Sequence, residues 1–343
     1  MSGHPHTKNS PRAGAAGAQL LSPHAYMTDL SCPDGCQGEL FVTGTDVCCR
    51  SCQQAFTISD DGILEMVRES GLDEATAQEL RGHQFNLTPQ QIVQWVRRER
   101  AMMWQSYYSR NRMKTMQHLA AFLDHVDCSR LFFLGAGTGR EIEFLLSFRK
   151  LQTVLCSDLS ASALRVIPAR LQGYGLEVGL FTSDLQRCPV ANREIPIVIV
   201  NALHHTQEMH VTLERLLEER YENLFIVEPT NNFIIRLFAR LGVARRREYS
   251  GVIPGRLDLP RLKAMCSRHG YRLRLRTEWE FPRDYYRKIF GRSRLVQRWF
   301  FRLLNDFSMV ASLVQFGNFS VVHISRSPVA GDVVAASRAD GDR

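Results

Sequence analysis

From residue 131 onward, short apolar runs alternate with amphipathic stretches. Leu131-Phe132-Phe133-Leu134 and Ile197-Val198-Ile199-Val200 are continuous apolar runs bounded by Gly, Asp or Asn, the pattern of strands buried on both faces. Similar segments predict strands near 131–135, 153–157, 177–182, 195–200, 222–228, 271–277 and 318–325. Between them, apolar residues at helical spacing predict helices near 139–149, 160–171, 206–220, 230–242 and 259–269. Such alternation is the signature of an α/β fold: a doubly wound, mostly parallel seven-stranded sheet whose ligands sit at the carboxyl ends of the strands. The segments 271–277 and 318–325 lack a clear crossover pattern, so one of them is expected to run antiparallel.

Upstream the pattern changes. Residues 55–67 alternate and then turn at Asp61-Gly62. Residues 70–87 read as a polar, partly helical linker, and Thr88-Pro89-Gln90-Gln91 as a capping box opening a helix with Ile92, Trp95, Val96, Met102, Met103 and Trp104. Met116, Leu119, Phe122, Leu123 and Val126 mark a second helix. These positions suit a core, with Trp104, Tyr107 or Tyr108 as candidates to cover a pocket. The expected organisation is a disordered tail (1–27), a small cysteine-bearing unit (28–68), a helical linker or lid (69–112), the α/β domain (113–326) and a second disordered tail (327–343).

Composition narrows the class. The chain has 343 residues, 44% apolar and 23% charged, as ordinary globular proteins do. No apolar run approaches the roughly 18 residues that span a bilayer. Residues 1–27 lack the charged-then-apolar order of a secretory signal, so a cytoplasmic protein is the expectation. The net charge of +8 is unevenly placed: residues 231–302 hold 19 Arg or Lys against five Asp or Glu, an excess of 14 that leaves the remainder at −6. One lobe thus carries a field of one sign.

Five of nine cysteines lie in the first 52 residues. Cys32-Pro-Asp-Gly-Cys36 and Cys49-x-x-Cys52 supply four thiolates, enough to close a tetrahedral zinc site, with Cys48 as an alternative to Cys49. Four sulfurs leave no open position, so the expected zinc is structural and not catalytic.

Chemistry-bearing residues follow five successive strands. Gly135-Ala136-Gly137-Thr138-Gly139 lets backbone approach a ligand at the start of a helix. Asp158, 23 residues after Gly135, stands where such folds place an acid on a ribose diol, although it also suits a helix cap. Asp184 follows the third strand and also suits a turn. Asn201-Ala202-Leu203-His204-His205 follows the fourth, and Glu228 ends the fifth.

Together these residues resemble the class I S-adenosylmethionine-dependent methyltransferases over roughly residues 100–326, nearest the group with the ubiquinone/menaquinone methyltransferases. The resemblance implies a Rossmann-like domain that binds S-adenosylmethionine. Gly135, Ala136, Gly137 and Gly139 would cradle the methionyl part, Asp158 and Leu159 the ribose, Asp184 and Leu185 the adenine, and Asn201 would lie beside the methionyl group. Two positions depart from the family: Phe133 replaces a usual acid, and Ile195-Pro196 stands where an aspartate is common. A hydroxyl or carbon-acid acceptor needs a base, for which His204, His205 and Glu228 are the candidates. Cys32 to Ile63 is similar to the small zinc-ribbon activator proteins of methyltransferases, a ribbon also fused to large-subunit rRNA guanine methyltransferases.

The basic lobe bears on the acceptor. Arg236, Arg240 and Arg245-Arg246-Arg247, with Tyr285, Tyr286, Phe290, Trp299, Phe300 and Phe301 among arginines, suit RNA, an anionic membrane surface or a phosphorylated lipid. They equally suit a solvated helical face. The Asn201–His205 and Val227-Glu228-Pro229 sequences resemble the small-molecule and lipid-quinone branch. The expectation is a small organic or lipid-like acceptor, enclosed by the 88–108 helix and the 230–256 and 282–316 segments. An RNA methyltransferase and a non-catalytic interaction protein are the alternatives.

Overall fold

The computed structural model describes residues 17–44, 46–103, 107–126, 129–233, 240, 255–280 and 293–326. The strands are β1 (Gln19–Leu20), β2 (Leu40–Thr43), β3 (Asp46–Cys49), β4 (Ala55–Ile58), β5 (Leu64–Glu65), β6 (Arg130–Leu134), β7 (Thr153–Asp158), β8 (Glu177–Thr182), β9 (Ile197–Val200), β10 (Asn223–Pro229), β11 (Tyr271–Glu278) and β12 (Phe319–Arg326). The helices are α1 (Glu74–Gly82), α2 (Pro89–Met103), α3 (Tyr107–Leu123), α4 (Arg140–Leu146), α5 (Ala161–Leu164), α6 (Ile167–Leu171), α7 (Met209–Glu218), α8 (Leu259–Arg268) and α9 (Arg294–Leu313).

All seven expected strands of the central sheet are present, in the spatial order β11-β12-β10-β9-β6-β7-β8. Neighbours from β10 to β8 pair in parallel. Of the two segments without a crossover, β12 is the antiparallel one, pairing so with both β10 and β11. The order reverses at β6 and β9, which opens a crevice at their carboxyl ends.

The sheet does not stop at β8. Its outer edge takes β5 in parallel at Leu64↔Phe181, and β4, β3 and β2 follow in antiparallel hairpins. One apolar core then runs from Leu30, Leu40 and Phe56 to Phe132, Leu155 and Phe181. On the opposite face Met116, Leu119 and Leu123 of α3 pack with Phe133, Ile142 and Phe144.

Several expectations change. Residues 17–27 are not a loose tail: β1 pairs with β8, and fully buried Tyr26 packs in the core and donates from its hydroxyl to the Leu180 carbonyl at 2.7 Å. Residues 160–171 form two helices, because Pro168 has no N–H to continue the ladder from Leu164. The helix at 294–313 was not expected from the sequence. By contrast, the Thr88 capping box forms reciprocally, with Gln91 N–H donating to Thr88 Oγ1 (3.3 Å) and Thr88 N–H to Gln91 Oε1 (2.8 Å). The α2 face bearing Ile92 and Val96 packs on Val166 and Ala169, behind the glycine turn and not over the crevice.

The expected helix at 230–242 and the arginine run at 245–247 lie outside the described residues, apart from 230–233 and 240. So do Tyr285, Tyr286, Phe290, Trp104 and residues 1–16 and 327–343. Among the described residues no helix is long and apolar enough to cross a membrane.

Candidate functional site

The turn after β6 needs its glycines for different reasons. Gly135 and Gly137 have φ of +68° and +52°, which side chains resist. A Cβ on Gly135 would stand 2.2 Å from that of Ala202, so the turn presses directly on the loop after β9. Nothing lies within 4 Å of a Cβ on Gly137, and its backbone faces open space. Gly139 caps α4, and its absent Cβ would stand 3.2 Å from Ile167. The fully buried Arg170 holds the turn from behind, donating from Nε to the Thr138 carbonyl (2.7 Å) and pairing with Glu143 (3.1 Å) and Glu99.

In front of this turn is a crevice of about 230 Å³. Of the cofactor residues expected from sequence, Gly135, Gly137, Asp158, Leu159, Asp184, Leu185 and Asn201 line it. Ala136 is buried behind the turn and Gly139 beneath it. Asp158 Oδ2 accepts from Gly137 N–H at 2.7 Å and Oδ1 from Ser160 N–H at 3.0 Å. Burial raises the Asp158 carboxyl above its ordinary range, partly offset by these two N–H groups and by His83 nearby. Burial likewise raises Asp184, whose Oδ1 accepts from Gln186 N–H at 2.9 Å.

The far wall comes from the segment expected as a helical linker or lid (69–112), at residues that the sequence reading did not single out. Thr76, Glu79 and Leu80 of α1, with His83 and Phe85 after it, close over the crevice. This segment read as a linker because its composition is polar. Its signals were the Asp73 cap, which accepts from Thr76 N–H (3.0 Å), and the Glu79–His83 pair one helical turn apart. Glu79 Oε1 lies 2.9 Å from Nδ1 of both His83 and His205. Hydrogen bonding to Glu79 raises the His83 pKa against the opposing effect of burial.

The three base candidates separate. His205 lines the crevice. His204 is buried, with Nδ1 2.6 Å from Glu228 Oε2, and Glu228 Oε1 accepts from the N–H groups of Ala202 (2.8 Å) and Leu203 (2.7 Å). Glu228 is fully buried and fastens the loop after β9. Asn201, in the left-handed region at φ +52°, is fixed from the other side. With its carboxamide oxygen toward Arg112 it accepts from Nη1 (3.1 Å) and Nη2 (2.8 Å), and Arg112 pairs with buried Glu280 at 3.3 Å.

Away from the crevice, the Sγ atoms of Cys32, Cys36, Cys49 and Cys52 all lie within 4.8 Å of one another. Cys32 to Cys52 is 3.7 Å and Cys36 to Cys49 is 3.5 Å, close to the ~3.8 Å that tetrahedral zinc with 2.3 Å bonds requires. Side chains alternate along β3, so Cys48 points away from the cluster that holds Cys49. Gly38 is required here: a Cβ would stand 2.6 Å from Cys49 Sγ. Burial raises the Cys49 thiol, but hydrogen bonds from the Cys52 and Ser51 backbone and the Cys36 and Cys52 thiols bring it down to about 7.

Residues 133–224, from the end of β6 through β9 with most of the residues that line the crevice, match the family model described as a methyltransferase domain. No curated protein matches the sequence. Among solved structures, magnesium protoporphyrin IX methyltransferase of Synechocystis PCC 6803 with bound SAH is similar at 13% identity, covering 73% of this chain and 93% of that one (TM-score 0.43). A chain of the complex between the Haloferax volcanii Trm112 methyltransferase activator and a methyltransferase is 13% identical, covering 68% and 96% (TM-score 0.45). The plantazolicin methyltransferase is 15% identical, covering 74% and 97% (TM-score 0.40).

Proposed function

We propose that this protein transfers the methyl group of S-adenosylmethionine to a small organic or lipid-like acceptor, and that Cys32, Cys36, Cys49 and Cys52 hold a structural zinc ion. The observation that carries the first part is the convergence of Gly135, Gly137, Asp158, Asp184, Asn201 and His205 on one crevice within a methyltransferase domain. In this reading Asp158 takes the ribose hydroxyls, Asp184 and Leu185 the adenine, and the open backbone at Gly137 the methionyl end. Phe133 is buried in the core facing α3, so no acid at that position meets the methionyl group.

S-adenosylmethionine supplies a methyl carbon on a sulfonium, and its transfer is an in-line displacement. The protein's work is to hold the acceptor collinear with the methyl carbon and sulfur, and to keep water out. Here α1 and Phe85 cover the crevice, which supports a small acceptor over a polymer. An amine or thiol acceptor needs little proton chemistry, whereas a hydroxyl or carbon acid needs a base. His205 is the proposed base. A carboxylate on Nδ1, here Glu79, favours the tautomer with its proton there and leaves Nε2 the lone pair. His204 and Glu228 are proposed to position the loop and not to touch substrate. The Asn201–His205 sequence supports the lipid-quinone branch of the family.

Calorimetry with S-adenosylhomocysteine tests the central assignment. The wild type is expected to bind, and Asp158→Ala to lose at least about a hundredfold in affinity, since two hydrogen bonds to a charged acceptor are lost. Unchanged affinity would overturn the assignment.

A further inference from the structure

We propose that α9 is a docking helix that lays the protein on an anionic lipid surface. Its inner face is committed: Leu304 and Ala311 pack with Trp279 and Phe316, and Ser308 donates to Glu278 (2.6 Å) and accepts from Trp279 N–H (2.9 Å). Its outer face is apolar apart from exposed Asp306, whereas that of a solvated helix is polar throughout. At about 100° per residue, Leu295, Trp299, Leu303, Val310 and Leu313 fall within one arc of about 100°. They are 66%, 58%, 63%, 61% and 82% exposed. Val296 and Val314 border the arc, and both are exposed. Asp306 is its one acid, one turn beyond Arg302.

Shape and charge together select a lipid surface. The stripe is convex and runs the length of a 20-residue helix, roughly 30 Å, so it suits a flat apolar layer. Arg298 and Arg302 are exposed along one border, and the Arg302 guanidinium lies 5.8 Å from the Trp299 ring centre. That pairing of an aromatic with a guanidinium is at home where acyl chains meet phosphates. Exposed Arg272, Arg274 and Arg276 alternate along β11, the edge strand against which α9 packs. Phe233, 63% exposed, stacks on Phe316 at 5.5 Å and extends the apolar surface toward the carboxyl end of β10. The helix lies on the bilayer and does not span it.

The test is flotation of the full chain with vesicles of phosphatidylcholine alone or mixed with phosphatidylglycerol. Wild type is expected to float with the mixed vesicles and far less with phosphatidylcholine. The double variant Leu303→Glu, Val310→Glu replaces exposed side chains, so its thermal melt is expected to match wild type while its vesicle binding falls at least about tenfold. Arg298→Glu with Arg302→Glu is expected to abolish the preference for phosphatidylglycerol. Three results would overturn the proposal: no flotation of wild type, equal flotation of the Glu double variant, or a wild-type dimer in light scattering that the Glu double variant dissolves. The last would assign the face to a second copy of the chain.

Discussion

His204 and His205 are neighbours in sequence with different surroundings. The 3-10 turn at Leu203–His205 sends one ring to the buried Glu228 carboxylate and the other to the crevice wall. Sequence reading could place both at the carboxyl end of a strand, but a turn that short has no periodicity from which to read a facing. Glu228→Ala would strip the acceptor from His204 and from the N–H groups of Ala202 and Leu203. We expect it to cost about 3 kcal/mol or more in urea denaturation. His205→Ala, at the rim, is expected to cost under about 1 kcal/mol while lowering S-adenosylhomocysteine affinity roughly tenfold by calorimetry. The opposite ranking of stabilities would contradict the division of roles.

At the scale of elements, the strands were legible because five of them are continuous apolar runs flanked by turn residues, and the Thr88 box because its chemistry is local. The break at Pro168 was also written in the chain, but an apolar period running through it masked it. A lid within 69–112 was expected, but that α1 is the part that covers the crevice was not legible, because what holds it is Glu79 reaching His205, a contact between residues 126 positions apart. Strands β11 and β12 carry buried groups whose titration is legible only in the fold. Burial, with the charges of Arg274 and His125, lowers the His323 pKa to about 4, and the ring stacks on Phe225 at 4.3 Å. Burial raises the Glu278 carboxyl, but hydrogen bonds from His118, Lys114 and Ser308 more than offset it and bring it to about 2. Both folded pKa values lie below the unfolded ones, so each group's stabilisation is present at high pH and lost on acidification. His323 contributes loss between about pH 6.5 and 4, worth up to about 3 kcal/mol, and Glu278 between about 4.5 and 2. His323→Phe is therefore expected to flatten the stability profile only in the upper window, and Glu278→Gln only in the lower, in denaturation series across pH.

For the whole molecule, the amino-terminal strands and the α/β sheet share one sheet and one core. Thr182 Oγ1 accepts from the N–H groups of Met66 (2.8 Å) and Val67 (3.0 Å), tying the junction to the end of β8, beside Asp184 of the crevice. The four-thiol pattern and the preference for Cys49 over Cys48 were legible in the spacing, and the direction of β3 supplies the reason that Cys48 stands apart. One zinc per chain is expected by elemental analysis, lost in Cys49→Ser and kept in Cys48→Ser. Because the core is continuous, chelation is expected to lower the melting temperature of the entire chain in one transition; a separate early transition would mean that the thiol-bearing strands fold independently.

The most direct measurement is a diffraction map of crystals grown with S-adenosylhomocysteine. The account predicts density over residues 135–139 with the ribose hydroxyls on Asp158, the adenine beside Asp184 and Leu185, and the sulfur facing the Asn201–His205 loop. A crevice left empty at saturating ligand, or a nucleoside bound elsewhere on the chain, would contradict it.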